Sequence, residues 1–439
     1  MNKKKAALHN LGCKVNAYET EAMRQMLKDD GYEIVDFSET ADVYVVNTCT
    51  VTNTADKKSR QMLSRARKKN GKAVVIAAGC FVQTKEAESG TLSGIDIFLG
   101  NNKKQDLITA LHDFLDRRCE GGPLVDTVEI NHRQPYENLH VAKTEGHTRA
   151  FIKVQDGCNQ FCSYCIIPYA RGRARSRKLC DVLGEARSIA AGGCKEIVLS
   201  GIHLSSYGTD TGESLAGLIE AIAGTDGIRR IRLGSLEPGI VTEDFVKTLS
   251  GIGKICPHFH LSLQSGCDAT LRRMNRKYTA DGYEKSCALL RHYFDHPAIT
   301  TDVIVGFPGE TQDEFLQTRA FLEKIRFYEM HIFKYSRREG TKAAVMQGQV
   351  PEQEKARRSA ELISLSHEMS GEFREYYMGK TAEALLEEPF LYQGKRYMAG
   401  YTKEYVKIAV RTEKNLANTC IRGKIAGKLD EGMYLMVEF

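Results

Sequence analysis

Residues 157–165 read GCNQFCSYC, which sets Cys158, Cys162 and Cys165 in a C-x3-C-x2-C spacing. The stretch follows directly on an apolar run, Phe151–Gln155, with the composition of a buried strand. Loops this short can wrap three thiolates around one face of an inorganic cluster. Iron–sulfur clusters are normally held by four thiolates, so three local ligands leave one iron open to a reactant. A zinc knuckle is the alternative, and it needs a fourth ligand. No His or Cys follows until Cys180.

Outward from this loop the chain alternates strand and helix. Downstream strands are expected at Glu196–Gly201, Ile231–Gly234, Phe259–Gln264, Thr301–Gly306 and Met330–Tyr335. With Phe151–Gln155 these make six units, too few for an eight-fold barrel, so an open, partial (β/α)6 barrel is expected. Upstream, strands at Ala6–Leu11, Val43–Asn47, Ala73–Ala78 and Ile95–Leu99 alternate with helices at Ala17–Asp30, Thr52–Asn70 and Lys103–Arg118. That alternation argues an open parallel sheet covered by helices. Ligands of such sheets sit beyond the carboxyl ends of the strands. Cys13, Cys49 and Cys80 each fall just past one of these strands, so the three thiols can converge. Spacing alone equally allows buried core thiols.

The stretch from Arg118 to Gly146, with a GGP and no clear period, reads as a linker. Pro351 to Tyr377 reads as a charged connecting helix. The runs KTAEALLEE, EYVKIAVRT, NTCIRGKIAGKL and GMYLMVEF then suggest a small antiparallel β-barrel of the OB-like kind. The expected α/β organisation is therefore a sheet domain over residues 1–117, a linker over 118–146, a barrel core over 147–375 and a terminal barrel over 376–439.

The chain has 439 residues, 42% apolar and 27% charged, which excludes collagen-like, disulfide-miniprotein and disordered classes. Its net charge of +6 is spread evenly, with 22 basic and 20 acidic residues up to Ala150, 29 and 26 up to Ser370, and 11 and 10 after it. That balance permits a nucleic-acid partner without demanding one. No apolar run is long enough to span a bilayer or to act as a signal peptide, so no membrane association and a cytoplasmic location are expected. Thirteen cysteines, an odd number, argue against a full disulfide framework.

The C-x3-C-x2-C loop at the first strand of a six-unit barrel resembles the radical S-adenosylmethionine (SAM) enzymes. LGCKVN at Cys13, NTCTVT at Cys49, AAGC at Cys80 and GCNQFCSYCIIPYARGRARSR, together with HLSLQSG, LRRMNRKYT, DVIVGFPGET and FKYSRREGT, narrow the resemblance to the methylthiotransferases. The likeness covers essentially the whole chain, and the last segment resembles that family's TRAM domain. The resemblance implies two 4Fe-4S clusters, one on Cys158, Cys162 and Cys165 and one on Cys13, Cys49 and Cys80. It also implies SAM used twice per turnover, as radical source and as methyl donor. LGCKVN resembles the branch acting on N6-threonylcarbamoyladenosine at tRNA position 37, which implies a tRNA anticodon stem-loop as partner. An electron donor such as flavodoxin or ferredoxin and a sulfur source are implied as well. A family branch that modifies a ribosomal-protein side chain is the alternative.

On the same resemblance, Tyr164, Gly201, Glu237, Gln264 and Asp302 are candidate SAM contacts, each with an equally plain packing role open to it. Arg171, Arg173 and Arg175, with Arg177, follow the cysteine loop and are candidates for substrate phosphate or carboxylate, groups that suit the planar guanidinium. The basic run from Lys57 to Lys72 reads as a solvated helix face or a phosphate contact. Cys119, Cys180, Cys194, Cys256, Cys267, Cys287 and Cys420 have no ligand-like spacing and read as small hydrophobes, and His203 receives no role.

Overall fold

The structure, a computed structural model, describes residues 3–84, 93–117, 122–141, 148–430 and 432–438. The first lobe is a six-stranded sheet whose pairings are all parallel. Its strands are β1 (Lys5–Asn10), β2 (Glu33–Val35), β3 (Val43–Thr48), β4 (Val74–Gly79), β5 (Ile97–Leu99) and β6 (Leu124–Asp126), in the order β2-β1-β3-β4-β5-β6. VYVVNT and VVIAAG are buried along their whole length, as strands covered on both faces must be. Helices α1 (Lys14–Asp29), α2 (Asn53–Lys69), α3 (Cys80–Thr84) and α4 (Leu107–Asp116) connect them. Because β1, β3 and β4 are neighbours, the segments carrying Cys13, Cys49 and Cys80 leave the sheet side by side.

Two strands differ from expectation. β2 and β6 are three residues each, too short to show a period. β6 lies inside the stretch expected to be a linker. In that same stretch Leu139 and Val141 bury against Tyr18 and Ala22 of α1, so its described part is packed structure.

The central lobe is a wall of six parallel strands: β7 (Arg149–Asp156), β9 (Glu196–Gly201), β10 (Arg230–Leu233), β11 (His258–His260), β12 (Ala298–Val305) and β13 (Glu329–Lys334). A two-residue strand, β8 (Arg175–Ser176), pairs antiparallel with β7. Bridges Ile231↔Ile255 and Leu236↔Leu261 join the two halves of the wall. Helices α5 (Ile167–Ala170), α6 (Leu179–Ala191), α7 (Leu215–Ala223), α8 (Glu243–Ser250), α9 (Asp268–Arg273), α10 (Ala280–Tyr293), α11 (Gln312–Ile325) and α12 (Glu352–Glu375) complete it. Alternate residues such as Ile152, Leu199, Ile231, Phe259 and Val303 pack outward into one core. Their neighbours along each strand, including Lys153, Glu196, Arg232, His260, Asp302 and His331, therefore face the lumen. Among the described residues no helix is long and apolar enough to cross a membrane.

The terminal lobe is a closed barrel of β14 (Thr381–Tyr392), β15 (Lys395–Thr402), β16 (Lys407–Arg411), β17 (Cys420–Asp430) and β18 (Met433–Glu438), in the order β14-β15-β16-β18-β17. The barrel is antiparallel as expected, save that β16 pairs with β18 in parallel. β15 was not anticipated either, because its alternation is masked by polar and glycine positions. This barrel plugs the floor of the central lobe. Arg230 is fully buried and donates to the Tyr401 and Glu383 carbonyls at 2.9 and 3.0 Å, and Arg149 pairs with Glu387 at 2.8 Å. Tyr405, at φ +74°, lays its ring against His258 with the Arg149 and Arg232 guanidinia over it. Replacing Arg230 with Ala removes the charged donor from two part-buried carbonyls, at a cost of about 1–3 kcal/mol. We expect a lowered melting temperature and faster proteolytic release of the segment after α12, both readable by gel and calorimetry.

Candidate functional site

The C-x3-C-x2-C loop begins where β7 ends. Gly157 adopts φ +68°, and a Cβ there would lie 2.0 Å from the Arg173 carbonyl oxygen, so only glycine fits. The Cys158 N–H donates to the Gly172 carbonyl at 3.0 Å. The loop is tied to the segment after α9: Ser163 Oγ donates to the Arg273 carbonyl at 2.6 Å and Asn275 Nδ2 to the Phe161 carbonyl at 2.9 Å. Arg276 donates to Cys162 Sγ at 3.1 Å and pairs with Glu237 at 3.1 Å. Glu237 Oε2 accepts from Gln160 at 3.0 Å and meets His203 Nε2 at 3.1 Å. Burial pushes the Cys158 thiol up to about 11 and the Cys165 thiol to about 12. Free thiols here hold their protons at neutral pH, and a bound metal centre is what deprotonates them.

The second set of thiols gathers at the carboxyl edge of the first sheet. Gly12, at φ +101°, leaves room for the Cys49 sulfur, which would be 2.9 Å from a Cβ at that position. Cys13 is the residue immediately before α1, where desolvation raises its thiol above the ordinary value and the Arg171 guanidinium and the Asn16 backbone oppose that rise. Cys13, Cys49 and Cys80 lie close enough for Cys49 to feel the charge of both others. Cys80 Sγ accepts from Asn101 Nδ2 at 3.5 Å, and the same amide donates to the Ala170 carbonyl at 2.6 Å. Ala170 ends the short helix that follows Cys165, so Asn101 couples the two cysteine loops.

A single ion limits how far apart its sulfur ligands can lie. A tetrahedral zinc holds thiolates at about 2.3 Å and hence about 3.8 Å from one another. Among the described residues, only His260, Asp302 and His331 bring three ligating atoms within 4.8 Å of one another. Neither thiol trio meets that spacing.

Behind Cys13 and Cys80 lies a buried ionic cluster. Arg171 donates to Glu19 at 2.9 and 3.0 Å, to Asp156 at 3.0 Å and to Asn16 at 2.6 Å. Lys153 pairs with Glu19 and Asp156 at 2.7 Å each, Lys104 with Glu19 at 3.2 Å, and Arg175 with Asp156 at 3.2 Å. Glu137 lies further from Lys153. Four cations face three carboxylates, and Arg171 also feels the charge of Cys80 while its Nε has no partner. The surplus is complementary to deprotonated sulfur. Burial alone would raise Glu19, yet Arg171, Lys104 and Lys153 hold its carboxyl well below the usual range.

This corrects the expectation for the arginines. Arg171, Arg175 and Arg177 are 0%, 4% and 1% exposed. The first two are bound within the ionic cluster with only their buried Nε atoms unpartnered, and Arg177 is bound to Glu185 and Tyr18, so none presents its guanidinium at the surface. Arg173 is half-buried and lies 4.7 Å over the Phe161 ring. Of the candidate cofactor contacts, Glu237 reaches the cysteine loop. Tyr164 packs edge-on against Phe307, near Tyr335 and Met274. Gly201 abuts Gln155, whose Cβ would lie 3.0 Å from an added methyl. Gln264 takes φ +70° at the top of the wall. Asp302 is beside Gln264, whose N–H donates to the Asp302 carbonyl at 2.8 Å, and its carboxylate is 3.3 Å from His260 Nε2. Asn101, Glu19, Arg276 and His203 were missed, since nothing in their sequence neighbourhood marks the partner they find. Cys194, Cys256, Cys267 and Cys287 are buried singly, whereas Cys180 is exposed and Cys420 half-buried, and Cys119 lies outside the described residues. The α2 cations Lys57, Lys58, Arg65 and Lys68 form a solvated face.

Residues 152–322 match the Radical SAM superfamily, and residues 5–100 match the uncharacterized protein family UPF0004. The chain is 40% identical over 437 residues, 98% of its length and 96% of the relative's, to the threonylcarbamoyladenosine tRNA methylthiotransferase MtaB of Bacillus subtilis (strain 168). It belongs to the radical SAM methylthiotransferase family. A second relative, the tRNA-2-methylthio-N(6)-dimethylallyladenosine synthase of Acetivibrio thermocellus, is 36% identical over 88% of this methylthiotransferase and 81% of its own length. The fold is shared with the radical SAM methyltransferase TsrM of Kitasatospora setae, at a TM-score of 0.56 and 17% identity over 76% of this chain and 72% of that one. The methylthiotransferase is thus an enzyme of 4Fe-4S and SAM chemistry.

Glu19→Gln leaves three buried cations short of a counter-charge, at a cost of about 3–5 kcal/mol. The sign with pH follows from the lowered carboxyl. Its contribution is present above the unfolded value of about 4.3 and is lost as pH falls through the folded one. Urea titrations should show the wild type losing stability below about pH 5 more steeply than the variant.

Proposed function

We propose that this methylthiotransferase converts N6-threonylcarbamoyladenosine at tRNA position 37 to its 2-methylthio derivative. Cys158, Cys162 and Cys165 would hold one 4Fe-4S cluster, and Cys13, Cys49 and Cys80 the other. The observation that carries this reading is the pairing of two three-thiol sites, each one ligand short of four, coupled through Asn101 between Cys80 and Ala170. The name of the Bacillus subtilis relative supports the nucleoside.

When bound, the clusters and two SAM molecules supply a hydrogen-abstracting radical, a sulfur atom and a methyl group. Overall, the adenine C2–H is replaced by C2–S–CH3, a change that no side-chain acid or base achieves on so weakly acidic a bond. The chain's own residues hold and insulate. Arg276 donates to Cys162 while anchored by Glu237, which fixes the first loop against the wall. Arg171 and its cluster set a positive background beneath Cys13 and Cys80. Tyr164 within the first loop, Glu237 bound to it through Gln160, and Gly201, Gln264 and Asp302 at the strand ends are the proposed SAM neighbours. The terminal barrel and the α2 cations are proposed to receive the anticodon stem-loop, whose single-stranded bases suit such surfaces. A flavodoxin or ferredoxin as electron donor, a separate sulfur source and a cytoplasmic setting complete the proposal.

Anaerobic reconstitution tests it. Wild-type protein should carry about eight irons, and Cys162→Ala and Cys49→Ala about four each. Cys162→Ala should form no 5′-deoxyadenosine from SAM and dithionite. Cys49→Ala should form it and give no methylthiolated RNA by nucleoside mass spectrometry. About eight irons in the Cys49 variant refutes the ligand assignment.

A further inference from the structure

Away from the Glu19 cluster the first two lobes meet again, through the segment 335–346 that follows β13. Arg338 is 4% exposed and reaches out of the central lobe into the first. Its Nη2 donates to Thr50 Oγ1 at 2.6 Å, and its Nη1 pairs with Asp56 Oδ2 at 3.0 Å. Thr50 is fully buried, follows Cys49 directly and donates its own hydroxyl hydrogen to Asp56 Oδ1. Thr84 Oγ1 lies 3.4 Å from that hydroxyl and donates to the Cys80 carbonyl at 3.1 Å. Ser59 of α2 holds the Cys49 peptide, accepting from its N–H at 3.2 Å and donating to its carbonyl at 2.9 Å. Asn53 Nδ2 donates to the Arg337 carbonyl at 3.0 Å, so α2 also grips the backbone of the segment.

The same segment is bound to the other cysteine loop. The Ala343 N–H donates to the Ser163 carbonyl at 2.8 Å. Gly340, at φ +81°, lies against Ile166, whose Cδ1 would be 3.3 Å from an added Cβ. The Thr341 hydroxyl donates to the Arg338 carbonyl and Arg337 Nε to the Ala344 carbonyl, at 2.7 Å each, which closes the segment on itself. One short, internally bonded piece of chain thus touches the residue after Cys49 and residues on both sides of Cys165.

A guanidinium removed from water needs a matched partner in good geometry, and Arg338 finds its carboxylate in the other lobe. Its planar fork engages a hydroxyl and a carboxylate together, which the single ammonium of a lysine does not reproduce. A reaction that brings two sites to one substrate carbon is sensitive to their separation, since a displacement of about 1 Å can cost about a hundredfold in rate. We propose that Arg338 is a positioning residue that sets the Cys49 site at its working distance from the loop of Cys158, Cys162 and Cys165, and so couples SAM cleavage to methylthiolation. This rests on the function proposed above.

The test compares reconstituted holoenzyme of wild type, Arg338→Ala, Arg338→Lys and Thr50→Val. One readout is the 5′-deoxyadenosine formed per methylthiolated nucleoside in a synthetic anticodon stem-loop. The other is the EPR relaxation of the two reduced clusters, which depends on the distance between them. All four proteins should hold about eight irons. Arg338→Ala and Thr50→Val should cleave SAM at close to the wild-type rate yet need roughly ten times as much of it or more per product, with kcat lowered and KM for the RNA kept. Their EPR relaxation should depart from that of wild type, and the double variant should be no worse than either alone. Arg338→Lys should fall between. Wild-type ratio and relaxation in both Arg338→Ala and Thr50→Val overturn the proposal. Iron lost from both, or SAM cleavage and product falling in step in both, makes Arg338 a fold contact only and overturns it too. The two ideas fail separately. No methylthiolated threonylcarbamoyladenosine from wild type sinks the function, while the EPR comparison needs no RNA and still decides whether Arg338 places the second site.

Discussion

The contact between Arg171 and Glu19 is the one on which the architecture turns. Arg171 belongs to the segment that leaves the first cysteine loop, and Glu19 to the helix that starts at the second cysteine site. Their ion pair is fully buried and drawn tight by Lys104, Lys153 and Asp156. Charges removed from water are tolerable only when each is matched in good geometry, and here the match exists only if the two lobes meet in one orientation. Specificity of assembly, more than net stability, is what such a cluster contributes. It holds both thiol sites on one body.

That placement has electrostatic consequences for the chemistry. The buried cluster carries more positive than negative side chains, and the sulfur atoms of Cys13 and Cys80 lie within its field. Burial by itself raises thiol proton affinity, as at Cys49, pushed to about 11. Nearby cations, helix N-termini and coordination work in the opposite sense. The first loop follows the same logic with Arg276 in place of Arg171. Each site thus has its own guanidinium, positioned by a carboxylate from another part of the chain.

The lumen is closed from two directions. The terminal barrel inserts Tyr405 at the floor among Arg149, Arg232 and His258. Helix α1 leans on the open flank through Glu19 and Tyr18, with Tyr18 hydrogen-bonded to Glu185 at 3.0 Å.

Local pattern was enough to read the strand–helix alternation, the open six-strand wall, the terminal barrel and the six cysteines at strand ends. Those features come from apolar period and turn placement, which are properties of short segments. Nothing local distinguished Arg171 and Arg175 from arginines meant for a substrate. Their burial depends on Glu19 and Asp156, contributed by other segments of the chain. β15 and the parallel β16–β18 pair escaped for a related reason, since barrel closure is a property of all five strands together. The same holds for the lumen: His260, Asp302 and His331 are unremarkable in the linear chain, and only the pairing of neighbouring strands brings them together. Charge pairing across lobes acts over distance in space rather than along the chain, so the tertiary structure alone decides it.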